Sequence, residues 1–205
     1  MTVFDFDNTI YDGESGFDIF MFYLKKDPKG IVKFIPKFGE AFIKYKKGSI
    51  NADEVVNEYG DLLYSYCHKI EDIDNDVKEF WDENEKKIKS FYAKIQTPDD
   101  VVVSACPEFL LSEICKRIGI KHYIGSVVNE KTGEIGRVCY KQNKIKAYHD
   151  VYGDTKIDDF YTDSMSDKPM MDISDNVYLV SGDRIEKIKA GGEWLIELKP
   201  KYTEQ

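Results

Sequence analysis

Val3-Phe4-Asp5-Phe6-Asp7-Asn8-Thr9 decides how this chain is read. Val3 to Phe6 reads as a short buried strand that begins almost at residue 1, and Asp7-Asn8-Thr9 breaks it. Two carboxylates, Asp5 and Asp7, leave the strand two residues apart and can point at one spot. Such a pair suits one acid as nucleophile and metal ligand and the other as general acid and base. So short a strand is unstable alone and must join a sheet built from later parts of the chain.

After Asp12-Gly13-Glu14-Ser15-Gly16 the pattern turns helical. Phe17, Ile19, Phe20, Phe22, Tyr23 and Leu24 make a wide apolar face, which Pro28 and Gly30 are expected to end. Residues 31–47 read as a second helix bent near Pro36. Asn51 or Asp53 is expected to cap a third, carrying Val55, Val56, Tyr59, Leu62 and Leu63. Asp74-Asn75-Asp76 is expected to cap a fourth, running to about Lys94.

The period then changes. Val101-Val102-Val103 reads as a buried strand, followed by a helix over 108–118 that stops at Gly119. Residues 122–128 form the next strand, 129–136 a turn or hairpin, and 141–152 a helix. Phe160-Tyr161-Thr162 and 177–180 are further strands, and 193–198 a last strand or short helix. Strands alternating with helices predict an α/β fold with a Rossmann-like parallel sheet. Residues 1–13 and 95–205 would form its core, and 14–94 an all-helical cap inserted after the first strand.

Composition narrows the function. The chain has 205 residues, 42% hydrophobic and 14% aromatic, enough for a real core. Its 29 Lys and Arg against 38 Asp and Glu leave a net charge of −9, which argues against a nucleic acid partner. There is no apolar run of about 18 residues and no basic, apolar leader at Met1, so a cytoplasmic location is expected. Cys67, Cys106, Cys115 and Cys139 show no C-x-x-C pair and read as plain thiols. Residues 25–48 hold eight lysines against Asp27 and Glu40, a local +6 interleaved with Phe34, Phe38, Phe42 and Tyr45. That stretch suits either a solvated lysine face over buried rings or contact with an anionic membrane surface.

Three more features fall near predicted strand ends, where sites form in open α/β sheets. Ser104 offers a hydroxyl beside the free amides of an expected helix start, an anion cradle. Lys141, Lys144 and Lys146 offer a cation for a bound phosphate. Asp163 and Asp167, in Asp163-Ser164-Met165-Ser166-Asp167, suit Mg²⁺, a hard cation that prefers oxygen ligands.

In order and strand context these features resemble the four motifs of the haloacid dehalogenase superfamily. Asp5-Phe6-Asp7-Asn8-Thr9 looks like its D-x-D-x-T motif, and Ser104 like its second-motif serine. Cys139-Tyr140-Lys141-Gln142-Asn143-Lys144 resembles its Cys-x-Gly-x-x-Lys segment, with Lys141 where many relatives carry glycine. The helical insert, Asp12-Gly13-Glu14-Ser15 and residues 104–109 are similar to the phosphoserine phosphatase-like branch. The resemblance implies a small phosphorylated substrate and attack by Asp5 on phosphorus, giving an aspartyl-phosphate. It implies Asp7 as general acid and base, and Mg²⁺ on Asp5, the Asp7 carbonyl and Asp163, with Asp167 ligating or orienting. Thr9, Ser104 and Ala105 would hold the phosphoryl group and Lys144 balance its charge. Glu14 stands where such relatives bind a substrate amine, yet none of the chain's arginines (Arg117, Arg137, Arg184) lies in the insert to bind a carboxylate. A phosphotransferase, a lipid-phosphate phosphatase and a receiver-like phosphoacceptor are the alternatives.

Overall fold

In the computed structural model, which describes residues 1–47, 49, 54 and 70–197, the short strand β1 (Thr2–Phe4) lies inside an eight-stranded sheet. The other strands are β2 (Val101–Pro107), β3 (His122–Val128), β4 (Ile135–Arg137), β5 (Ile157–Thr162), β6 (Ser174–Ser181), β7 (Arg184–Ala190) and β8 (Glu193–Trp194). Their order is β4-β3-β2-β1-β5-β6-β7-β8. The run from β3 to β6 is parallel throughout, and β4, β7 and β8 add antiparallel edges. Val3 sits opposite Val101 on one side and Phe160 on the other, so β1 finds the two partners its length demands.

Successive residues of the central strands feed opposite faces. Phe4 and Val102 join a buried cluster with Tyr11, Trp81, Leu110 and Ile114. Val3, Val101 and Val103 join another with Ile124, Tyr148, Phe160 and Met170. Cover on both faces explains why Val101-Val102-Val103 is apolar without alternation.

Between β1 and β2 every described helix or strand is helical. These are α1 (Ser15–Lys26), α2 (Pro28–Ile31), α3 (Ile35–Lys46), α4 (Ile73–Asn84) and α5 (Ser90–Ile95), with 3₁₀ turns at Val32–Phe34 and Glu85–Lys87. The helix expected around Val55 to Leu63 lies outside the described residues. Pro28 starts α2 rather than merely ending α1: the Asp27 carboxylate accepts the Gly30 amide at 2.9 Å, and proline at the first position loses no bond. Pro36 likewise opens α3 instead of bending a longer helix. The next helix is capped by Asp72, which accepts the Asn75 amide at 3.0 Å, and it stops at Asn84, not near Lys94. The reason is tertiary. Ile88 leaves helical geometry to bridge Tyr11, and the Lys89 amide donates to the Ile10 carbonyl at 2.8 Å.

Beyond β2 come α6 (Glu108–Arg117), α7 (Gln142–Tyr152), a 3₁₀ turn (Met165–Asp167) and α8 (Lys168–Asp172). In the lysine-rich stretch, Phe34 is buried and Phe38 stacks on Phe20 at 3.7 Å, so the rings turn inward. Among the described residues no helix is long and apolar enough to cross a membrane.

Candidate active site

Asp5 is the first residue after β1, and its amide still bonds the Tyr161 carbonyl of β5 at 2.9 Å. The chain then coils tightly, with the amides of Thr9, Ile10 and Tyr11 all donating to the Phe6 carbonyl at 3.2, 2.9 and 2.9 Å. Asn8 takes φ 56°, a left-handed conformation that asparagine tolerates. Its amide bonds the Gly13 carbonyl at 3.0 Å and its side chain donates to Glu14 Oε1 at 2.6 Å. From the start of α5, Lys89 Nζ donates to the Asn8 carbonyl and, at 3.1 Å, to that of Gly182.

This loop presents Asp5 and Asp7 to a cavity of about 280 Å³ that Glu14, Ser104, Ala105, Lys144, Asp163 and Asp167 also line. Lys144 Nζ, 3% exposed, lies 2.7 Å from Asp5 and 2.8 Å from Asp167. Thr162 Oγ1 donates to the same Asp167 carboxylate at 2.9 Å. Burial pushes Asp5 up to about 6, against the pull of Lys144. Burial also acts to discharge Lys144, but Asp167 and Asp5 outweigh it and hold the ammonium above the usual lysine range.

Asp7 is held differently. Its two oxygens accept the Ser15 amide at 2.8 Å and the Ser15 hydroxyl at 3.1 Å. Burial, only partly offset by those bonds, raises it to about 8, so the acid carries a proton at neutral pH. One carboxylate is thus paired with a fixed ammonium, and its neighbour is a proton donor.

Two expected phosphate contacts take another form. Thr9 is fully buried outside the cavity lining, and its hydroxyl donates to Asp5 at 3.3 Å. Ser104 and Ala105 do line the cavity, but β2 runs on to Pro107 and α6 starts at Glu108, so the helix amides do not follow Ser104 directly. Instead the pairing with β3 breaks register between Val103 and Pro107, and Ser104 Oγ accepts the Cys106 amide at 3.1 Å. The hydroxyl proton is still available to a ligand.

Among the described residues no three His, Cys, Asp or Glu side chains form a ready-made metal cage. Asp5 and Asp163 nonetheless fit Mg²⁺. Both face the cavity, and burial first, then Asp5 and Asp167, push Asp163 up to about 7, a repulsion that a cation would relieve. Mg²⁺ takes one or two carboxylates and keeps waters and phosphate oxygens around it, so it needs no full protein cage. The Asp167 carboxylate is already engaged by Lys144 and Thr162.

The pattern of acids did not point to Ser15, Lys89, Tyr45 or Tyr140. The signal for Ser15 is its place in Asp12-Gly13-Glu14-Ser15; Tyr45 stands out only as a ring of the lysine-rich stretch and Tyr140 only as a member of the Cys139–Lys144 segment, and nothing marks Lys89. Lys141 takes φ 49° and ψ −123°, backbone that favours glycine, which accounts for the glycine at this point in the family segment. The described cysteines are poorly suited as nucleophiles: Cys106, Cys115 and Cys139 are free and buried, and burial raises all three thiols.

With the fold and site in view, the class follows. The model of the haloacid dehalogenase-like hydrolases matches residues 2–172, and the chain belongs to that family. Solved structures share its fold. A protein of unknown function from Bordetella pertussis Tohama I has a TM-score of 0.68 at 18% identity, over 83% of this chain and 85% of its own. A phosphoserine phosphohydrolase-like protein from Francisella tularensis has a TM-score of 0.56 at 15% identity, over 86% of each chain. A HAD family hydrolase from Salmonella enterica serovar Typhi has 0.56 at 12%, over 84% of this chain and 59% of its own. No curated protein matches the chain.

Proposed function

We propose that the protein is a Mg²⁺-dependent phosphatase that hydrolyses a small phosphate monoester through an aspartyl-phosphate on Asp5. The observation that carries this reading is the pair of acids after β1: Asp5 bonded to Lys144 and Asp7 to Ser15, both lining one cavity, with burial raising Asp7 to about 8. An Asp5 oxygen attacks phosphorus as the bond to the leaving oxygen breaks, and Asp7 gives that oxygen its proton. Asp7 then takes a proton from water, whose oxygen attacks the phosphoryl group and frees Asp5. Lys144, Ser104 and the amides around Ala105 would stabilise the phosphoryl oxygens. Asp5, Asp163 and the Asp7 carbonyl would hold Mg²⁺, which when bound lowers the repulsion between a phosphate dianion and a carboxylate.

Residues 1–13 and 95–205 would be the catalytic core and 14–94 a cap that screens the site from water. Buried, unpaired thiols agree with a cytoplasmic setting. The test is turnover of p-nitrophenyl phosphate in Mg²⁺. EDTA, Asp5→Asn and Asp7→Asn should each lower kcat by at least about a hundredfold, the scale of a lost acid–base group. Metal-independent turnover, or full activity of Asp5→Asn, would overturn the reading.

A further inference from the structure

A second cavity, of about 270 Å³, opens beside the first and is lined by Phe17, Phe38, Phe42, Val128, Ile135 and Val138. The phenylalanines come from α1 and α3, the aliphatic residues from β3, β4 and the residue after β4. The rings support one another: Phe17 lies 5.0 Å from Phe42, and Phe38 stacks on Phe20 at 3.7 Å. The two compartments share Asp7, Glu14, Tyr45, Ala105 and Tyr140. Asp7 thus stands at the opening between the polar and the apolar space.

We infer that the substrate is the phosphate monoester of an apolar alcohol, alkyl or aryl, whose hydrocarbon part occupies this second compartment. The inference rests on the phosphatase reading and names its substrate class. A group bound there leaves its ester oxygen beside Asp7, the acid that must protonate it. The described lining offers no partner to the carboxylate of an amino-acid headgroup: it carries two acids, Asp7 and Glu14, and neither lysine nor arginine lines it. The arginines are engaged elsewhere, Arg117 with Asp82, Glu85 and Glu113, Arg137 with Glu108, and Arg184 with Glu186. Phe17 is 37% exposed, apolar surface that such a group would cover. Preformed apolar walls with a few polar groups at one end are the usual build of a site for an amphipathic small molecule.

A series of n-alkyl phosphates, ethyl to hexyl, tests this, because the leaving alcohol changes in length and hardly in reactivity. On the wild-type protein in Mg²⁺, kcat/KM should rise about fourfold per methylene, the transfer value for a buried CH₂. Phenyl phosphate forms a second arm that separates a ring from a chain, and phosphoserine and phosphoethanolamine form the polar arm. Both polar esters should lie below hexyl phosphate, and Phe42→Ser should flatten the dependence on length. A flat or falling alkyl series, or phosphoserine as the better substrate, overturns the inference and leaves the phosphatase reading intact. Absence of turnover for every ester overturns both.

Discussion

Asp5 and Asp7 stand two residues apart, yet Lys144 grips one and Ser15 the other. This difference sets two expectations. Asp7 rises from 3.8 to about 8 on folding, so the metal-free folded protein holds a proton that the unfolded chain has lost between those values. Stability should therefore fall as pH rises from about 4 to 8. Asp7→Asn removes that dependence. In EDTA its Tm should drop less between pH 5 and 8 than that of the wild type, and equal drops would contradict the assignment. Lys141 carries the second expectation. At φ 49° a side chain costs roughly 1–3 kcal/mol, so Lys141→Gly should gain about 1 kcal/mol in urea unfolding even after glycine's own entropy cost. Asp5, Lys144 and Asp163 were legible in the sequence because each follows a strand end or opens a helix after one. The bond from Thr9 and the grip of Ser15 were not, because they depend on how residues 6–13 coil, which no periodicity reports.

At the scale of elements, the alternation of strand and helix after residue 95 was readable, since buried parallel strands need long apolar runs and helical crossovers. The ends of elements were less so. The fourth helix stops at Asn84 because Ile88 and Lys89 pair with Tyr11 and Ile10, partners some 78 residues earlier in the chain. Lys89 ties that pairing to the active-site loop through the Asn8 carbonyl. Lys89→Met should leave the fold standing and lower kcat by tenfold or more, measured beside an unchanged far-UV circular dichroism spectrum; wild-type kcat would deny it a positioning role. Lys189 does structural work at the other edge. Its ammonium, 4% exposed, donates to the carbonyls of Met171, Asp172 and Ser174 at 2.8, 3.0 and 2.7 Å, closing the end of α8. Lys189→Met removes three hydrogen bonds, two of them buried, and should cost about 2–4 kcal/mol in urea unfolding, with little effect on KM.

Taken whole, the chain concentrates its net charge of −9 unevenly. Asp5, Asp7, Asp163 and Asp167 crowd one cavity against Lys144, while the adjoining compartment is nearly all apolar. Those acids would repel a phosphate by themselves, so in the proposed reading a divalent cation held by them, rather than the net charge of the chain, governs whether an anionic substrate binds. The central claim is that Asp5 is the nucleophile that takes up the phosphoryl group. The most direct measurement is an acid quench of the wild-type protein turning over p-nitrophenyl phosphate in Mg²⁺, followed by peptide mass analysis. One phosphoryl group on the peptide bearing Asp5, absent from Asp5→Asn, is the expected result; a phosphoryl group on any other residue, or turnover without a trapped adduct that persists in Asp5→Asn, would contradict it.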